Sequence, residues 1–249
     1  MKALFVACQD PISRTWSPVG KLTKEDGEYF FVYTKGAAKL PGFRPFGRMT
    51  QLDGRYRSHA LFPLFANRVL PKNRPEYHEY ISWLALDGIE RSEFDELART
   101  GGRRATDAIE LIPCPEPTAS GEYETYFFCR GLRHLAEGSR DRVNDLKAGA
   151  PLYLMRDVQN AIDASALLLR TGEPVSIVGY TPAYFSSEFA AILDANGPGA
   201  LSVSVERVNQ EAPMQYRILC RLVTRWPDNF APFSSEAFQD YSTEPMSNT

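Results

Sequence analysis

The chain has 249 residues, of which 43% are hydrophobic, 24% charged and 12% aromatic, a balance that belongs to folded globular chains and excludes disordered or fibrous ones. That length accommodates one large domain or two ordinary ones. With 28 Lys and Arg against 31 Asp and Glu the net charge is −3, so no global positive field draws the chain to nucleic acid or to an anionic membrane, and any such binding is local.

Cys8, Cys114, Cys129 and Cys220 are too few and too scattered for a disulfide framework. The three histidines, His59, His78 and His134, allow neither HExxH nor a Cys/His zinc spacing, so no metal and no cofactor is expected. Ala3 to Cys8 is an apolar run too short for a signal-peptide core and reads as a first strand. No run approaches the about 20 apolar residues that span a bilayer, so the expected location is the cytoplasm, with no membrane contact.

Val19 to Leu22, then Lys24-Glu25-Asp26-Gly27, then Tyr29 to Tyr33 reads as a β-hairpin with an Asp-Gly turn. Residues 44–74 hold seven basic residues (Arg44, Arg48, Arg55, Arg57, Arg68, Lys72, Arg74) against the single acid Asp53. They form either a basic surface for a phosphate backbone or a solvated loop compensated elsewhere. Helices are expected over Glu76 to Leu86 and Ser92 to Arg99, the second opened by a capping-box pattern, Ser92-Glu93-Phe94-Asp95. Gly101-Gly102 permits the backbone turn that ends it. No GxxxxGK[ST], GxGxxG or GxSxG occurs, which removes motif support for nucleotide hydrolysis, dinucleotide binding and hydrolase-elbow chemistry.

Pro113, Pro115 and Pro117, followed by Thr118-Ala119-Ser120-Gly121, mark an exposed linker. Charge shifts across it, from +2 over residues 1–120 to −5 over residues 121–249. Beyond it strands are expected at Tyr126 to Cys129, Leu152 to Met155, Ala166 to Leu169, Ile177 to Tyr180, Leu201 to Val205 and Arg217 to Val223, with one helix at about Ser186 to Asp194. Six short strands and one helix suggest a small barrel with a helix capping it. The last ten or so residues, rich in Ser, Thr, Asn and Glu, are expected to fray.

Three blocks in this second half carry a resemblance: Gly131-Leu132-Arg133-His134, then the series Arg156-Asp157, Asn160, Asp163 and Ala166, then Ile177-Val178-Gly179-Tyr180. They look like the blocks of a HIRAN domain, over about residues 123–230. HIRAN domains accompany SWI/SNF-type helicases and nucleases and also stand alone. The resemblance implies an OB-like barrel that binds the 3′-hydroxyl end of single-stranded DNA. In that role Asp163 would accept a hydrogen bond from a terminal hydroxyl and repel an internal phosphodiester. Asn160 would bond a base edge or sugar, and Arg133 would take a phosphate and stack on a base. Where a family member has tyrosines this chain has His134 and Ile162, so stacking would pass to His134 and Tyr180. Other roles stand beside these. Asn160 and Asp163 suit an Asx-type turn bonded to local backbone, His134 a half-buried packing side chain, and Arg133 a pair with a neighbouring acid.

Val19 to Leu22 with the hairpin, Leu61 to Pro71, Phe94 to Ala98 and Gly101-Gly102 before Ala108 to Leu111 resemble the N-terminal subdomain of HipA-type toxin kinases. Since the kinase core has no counterpart here, that resemblance implies a protein-interaction module without phosphotransfer. The expected fold is therefore α+β, mostly β: a mixed module over residues 1–118, a linker at 119–122, an OB-like small β-barrel with one capping helix over 123–233, and a flexible tail over 234–249. The expected function is non-catalytic binding of single-stranded DNA at its 3′ end. The alternative is a toxin–antitoxin or defence accessory that binds a kinase-like or helicase-like protein partner. A nuclease is less favoured, because Asp157 and Asp163 lack the further carboxylates that fix a metal pair.

Overall fold

The Asp26-Gly27 pair folds back as its chemistry dictates: both residues take positive φ, +48° and +82°, the geometry a two-residue hairpin turn requires. It joins the strands that pair from Gly20↔Tyr33 to Glu25↔Glu28. The structure, a computed structural model, describes residues 2–88, 90–160, 163, 165–197 and 199–242.

In chain order its strands are β1 (Lys2–Gln9), β2 (Trp16–Glu25), β3 (Glu28–Tyr33), β4 (Arg55–Ser58), β5 (Ile109–Pro113), β6 (Glu122–Phe128), β7 (Pro151–Arg156), β8 (Leu167–Arg170), β9 (Ile177–Tyr180), β10 (Ser202–Val208) and β11 (Ile218–Arg225). The helices are α1 (Lys35–Lys39), α2 (Pro63–Ala66), α3 (Tyr77–Trp83), α4 (Glu93–Thr100), α5 (Glu137–Asp145) and α6 (Ala183–Asn196). The fold is mixed α+β and mostly β, as expected. Contacts divide it into two units, one of Met1–Leu70, Ser92–Cys114 and Phe233–Thr249, the other of Pro71–Arg91 and Pro115–Pro232. Residues 71–91 thus go with the second unit although they precede the proline-rich stretch.

The first unit is an antiparallel sheet in the order β4-β3-β2-β1-β5. Its core gathers Leu4, Val6, Val19, Leu22, Phe31 and Tyr33 from the sheet with Phe65, Phe94 and Leu97 from the helices. The Tyr33 hydroxyl donates to the Met49 carbonyl at 2.7 Å and accepts the Phe46 N–H at 2.6 Å, which ties the 43–49 loop down. Helix α4 opens as its sequence predicts, with the Ser92 N–H donating to the Asp95 carboxylate at 2.8 Å. It closes on Gly101 at φ +69°, a conformation that favours glycine. Within the stretch expected as a flexible tail, Glu236–Phe238 forms a 3-10 turn. Phe238 packs on Phe5 with ring centroids 4.8 Å apart, and Asp240 bridges to Thr34.

The second unit is a curled sheet in the order β6-β11-β10-β7-β8-β9. Its six strands coincide with the expected ones to within a few residues at each end. Helix α6 plugs it with Phe185, Phe189 and Ile192, all buried. The two phenylalanine rings stack on each other at 5.0 Å, and Phe127 of β6 meets Phe189 at 5.8 Å. Each such side chain withdrawn from water contributes about 1.5–3 kcal/mol. Helix α3 belongs to this unit: Tyr80 and Trp83 pack on Tyr216, and Arg207 bonds the Ser82 carbonyl at 2.6 Å and Asp87 at 3.0 Å. The one helix here without a sequence counterpart is α5, which buries only Val143 and so offers no apolar stripe to read.

Candidate nucleic-acid interface

The curled sheet closes on itself just past the end of β6. Arg130 and Tyr180 exchange both backbone hydrogen bonds, at 2.8 and 2.9 Å, and so join β6's extension to β9. This approach requires Gly179, whose φ is +145°. A Cβ there would lie 2.5 Å from both the Arg130 carbonyl oxygen and the Cys129 sulfur. The Cys129 thiol beneath is fully enclosed, and burial pushes its pKa up to about 12, so it packs as an inert small side chain.

Beyond the closure the chain turns on Gly131, at φ +76°, into a 3-10 turn over Leu132–His134. Leu132 is buried and anchors the turn, which leaves Arg133 and His134 exposed. The Arg133 Nε–H donates to His134 Nε2 at 2.9 Å. Arg133 therefore leans on a neighbouring ring, and among the described residues no carboxylate is bonded to it. His134 is itself exposed, not half-buried. It props an exposed guanidinium.

The loop between β7 and β8 supplies the acids. The Asp157 N–H donates to the Ala166 carbonyl at 2.9 Å, which pinches the loop at its base. Asn160 donates through Nδ2 to Asp157 Oδ2 at 3.2 Å and accepts the Asp163 N–H on Oδ1 at 2.9 Å. Asp163 in turn accepts the Ser165 N–H at 2.9 Å and the Ser165 hydroxyl at 2.6 Å, both on Oδ1. The local-turn role foreseen for Asn160 and Asp163 is thus present. It occupies one Asp163 oxygen, and among the described residues no hydrogen bond reaches the other. Ile162 lies outside the described residues.

The Tyr180 hydroxyl joins the two halves by donating to Asp157 Oδ2 at 2.8 Å. That bond holds the Asp157 carboxyl below the usual carboxylate range, with a smaller contribution from Asn160, and raises the Tyr180 phenol. Of the five residues expected at the site, Asn160, Asp163 and Tyr180 are linked through Asp157. Arg133 and His134 sit on the turn beside Tyr180: a Cβ on Gly131 would lie 3.1 Å from its ring. Asp157 is the residue the sequence reading left without a role, although it stands in the same Arg-Asp series. The arrangement offers a carboxylate oxygen with no hydrogen bond among the described residues, an exposed guanidinium and a half-buried phenol ring, which are the means to bond a hydroxyl, a phosphate and a base.

Of the linear basic cluster at residues 44–74, Arg68 is no surface cation and Arg57 is paired. Arg68 is buried in the first unit, where it bonds the Gly102 carbonyl at 2.9 Å and Asp107 at 2.6 Å. Arg57 is paired with Glu28 at 2.6 Å. Among the described residues no group of three or more His, Cys, Asp or Glu side chains is gathered for a metal ion, and no described helix is long and apolar enough to cross a membrane.

Residues 123–227 match the family model of the HIRAN domain, the segment whose three blocks carry the resemblance. The HipA-like resemblance of the N-terminal region finds no support in the comparisons. No curated protein matches the chain. Among solved structures, a structural-genomics protein from Lactobacillus plantarum is 17% identical, covering 42% of this chain and 99% of its own, with a TM-score of 0.32. The HIRAN domain of human HLTF is 15% identical, covering 43% of this chain and 81% of its own, also with a TM-score of 0.32.

Proposed function

We propose that the curled sheet of residues 123–227 binds DNA, and that it takes the 3′-hydroxyl end of a single strand in the cluster of Arg133, His134, Asn160, Asp163 and Tyr180, with Asp157 as its brace. The observation that carries this reading is the HIRAN family match over residues 123–227, which spans all of these residues. In this reading the second oxygen of Asp163 accepts the terminal hydroxyl. A terminal or internal phosphate at the same place would face the carboxylate charge and be rejected. Arg133 takes the penultimate phosphate, and Tyr180 presents its ring to a base.

The net charge of −5 over residues 121–249 limits how many phosphates are neutralised, so binding is modest and its salt dependence shallow. Fluorescence anisotropy tests the reading with a labelled single strand bearing a free 3′-hydroxyl, the same strand 3′-phosphorylated, and a blunt duplex. Preference for the free end, abolished by Asp163→Ala, is expected. Equal affinity for all three would overturn end recognition.

A further inference from the structure

The outward side of β7, β8 and β9 is unusually apolar for a surface: Tyr153 and Met155 are each 46% exposed and Ile177 40%, with Val175 just before β9 at 54%. Register places Tyr153, Met155 and Ile177 in two adjacent rows, the second of which crosses the buried Leu168. Tyr153 pairs with Arg170 and Arg170 with Ile177; two residues along β7, Met155 pairs with Leu168 and Leu168 with Tyr180. On β7 and β8 the row that begins at Tyr153 lies next to the row that ends at Tyr180, about 7 Å away by strand rise, and a register shift between Leu169 and Arg170 takes up the extra residue on β9.

Arg170 differs from the other arginines of this sheet. Arg156 meets Asp194, Arg207 meets Asp87 and Arg221 meets Glu124. Arg170 instead lies over the Tyr153 ring, its guanidinium carbon 4.9 Å from the centroid, and donates to the Thr171 carbonyl at 2.9 Å. Among the described residues no carboxylate neutralises it. A planar cation already lying over an exposed ring, without a counter-ion among the described residues and beside exposed apolar side chains, complements a ligand that is both aromatic and anionic.

We propose that Tyr153 and Arg170 form a second stacking platform, on which the single-stranded DNA leaving the Tyr180 cluster lays its next bases, with Met155 and Ile177 as the apolar floor between. This rests on the DNA-binding reading above and extends it from the strand end to the strand body. The platform acts without base specificity, since every base has a stacking face.

The test uses the full chain and two labelled single strands with free 3′-hydroxyls, a dinucleotide and a ten-nucleotide strand. Tyr153→Ala is expected to weaken the ten-nucleotide strand by on the order of tenfold and to leave the dinucleotide unchanged, while Tyr153→Phe retains wild-type affinity for both. Arg170→Ala is expected to act as Tyr153→Ala does, and Arg170→Lys to recover only part, because a lysine keeps the charge without the plane. An unchanged melting temperature in Tyr153→Ala separates lost stacking from lost fold. If that variant binds the ten-nucleotide strand as wild type does, the platform is wrong and end recognition stands. If the strand depends on Tyr153 but not on Asp163 or a free 3′ end, the platform stands and end recognition is wrong. If wild type binds neither strand, both readings fall and the apolar face is left to a protein partner.

Discussion

The core of the first unit and the β7–β8 loop of the second treat their polar side chains in opposite ways. In the first unit they are consumed by the fold: Arg68, its side chain 1% exposed, is bound to Asp107, and the Tyr33 hydroxyl is saturated by two backbone groups of the 43–49 loop. Burial pushes the Tyr33 phenol and the neighbouring Cys8 thiol each up to about 12. In the second unit the polar groups of the β7–β8 loop bond one another, an oxygen of Asp163 has no hydrogen bond among the described residues, and the guanidinium of Arg133 is exposed. A saturated buried polar group fixes one packing arrangement. An exposed group with unused bonding capacity is what a ligand can exploit.

The sharpest way to break this contrast is Arg68→Ala. If Arg68 is structural, its loss strands the Asp107 charge and an enclosed carbonyl, and urea unfolding should show a destabilisation of about 3 kcal/mol, at the low end for buried pairs because Asp107 reaches solvent. A change of a few tenths would return Arg68 to the surface cluster its sequence neighbours suggest. Gly179→Ala should cost about 2 kcal/mol, from a strained φ and a Cβ forced against Arg130 and Cys129. Amide exchange at Arg130 and Tyr180 should quicken with it. Slow exchange in that variant would mean that the sheet closes by some other contact.

Smaller again is Tyr180→Phe. The Asp157 carboxyl lies below its ordinary range chiefly because Tyr180 donates to it, and the Tyr180 phenol is raised by the same bond. A depressed acid contributes above its unfolded value, near 3.9, and loses that contribution as pH falls through its folded value. A raised phenol contributes below its unfolded value, near 10, and loses that contribution as pH climbs through its folded one. The contact is therefore flat from about pH 5 to 9 and fades outside that window. Carboxyl NMR titration should move Asp157 back toward its ordinary value in Tyr180→Phe; no movement would assign the depression to Asn160 instead.

How much of this was legible depended on which physical signal each element carries. β9 is Ile177–Tyr180, as the apolar run bounded by turn residues indicates, and α4 begins and ends where Ser92, Asp95 and Gly101 direct. Helix α5 was illegible because a nine-residue helix that buries one side chain leaves no periodic trace. The fate of each cation in the basic run at 44–74 was not legible because adjacency in sequence says nothing of direction: Arg57 pairs with Glu28 while Arg68 turns inward. The members of the candidate cluster stand in the sequence as a spaced series, Asn160 and Asp163 before Tyr180. Two contacts were not legible: Asp157's bond to Tyr180, which depends on where the loop folds back, and the position of Arg170 over the Tyr153 ring across two strands, which depends on register.

The most direct test of the central claim is the affinity ratio between a single strand ending in a 3′-hydroxyl and the same strand ending in a 3′-phosphate, measured for wild type and for Asp163→Ala in one low-salt buffer. The account predicts that wild type prefers the hydroxyl by tenfold or more, equivalent to about 1.4 kcal/mol, and that the ratio falls to near one in the variant. A wild-type ratio of one, or a preference that survives Asp163→Ala, would contradict it.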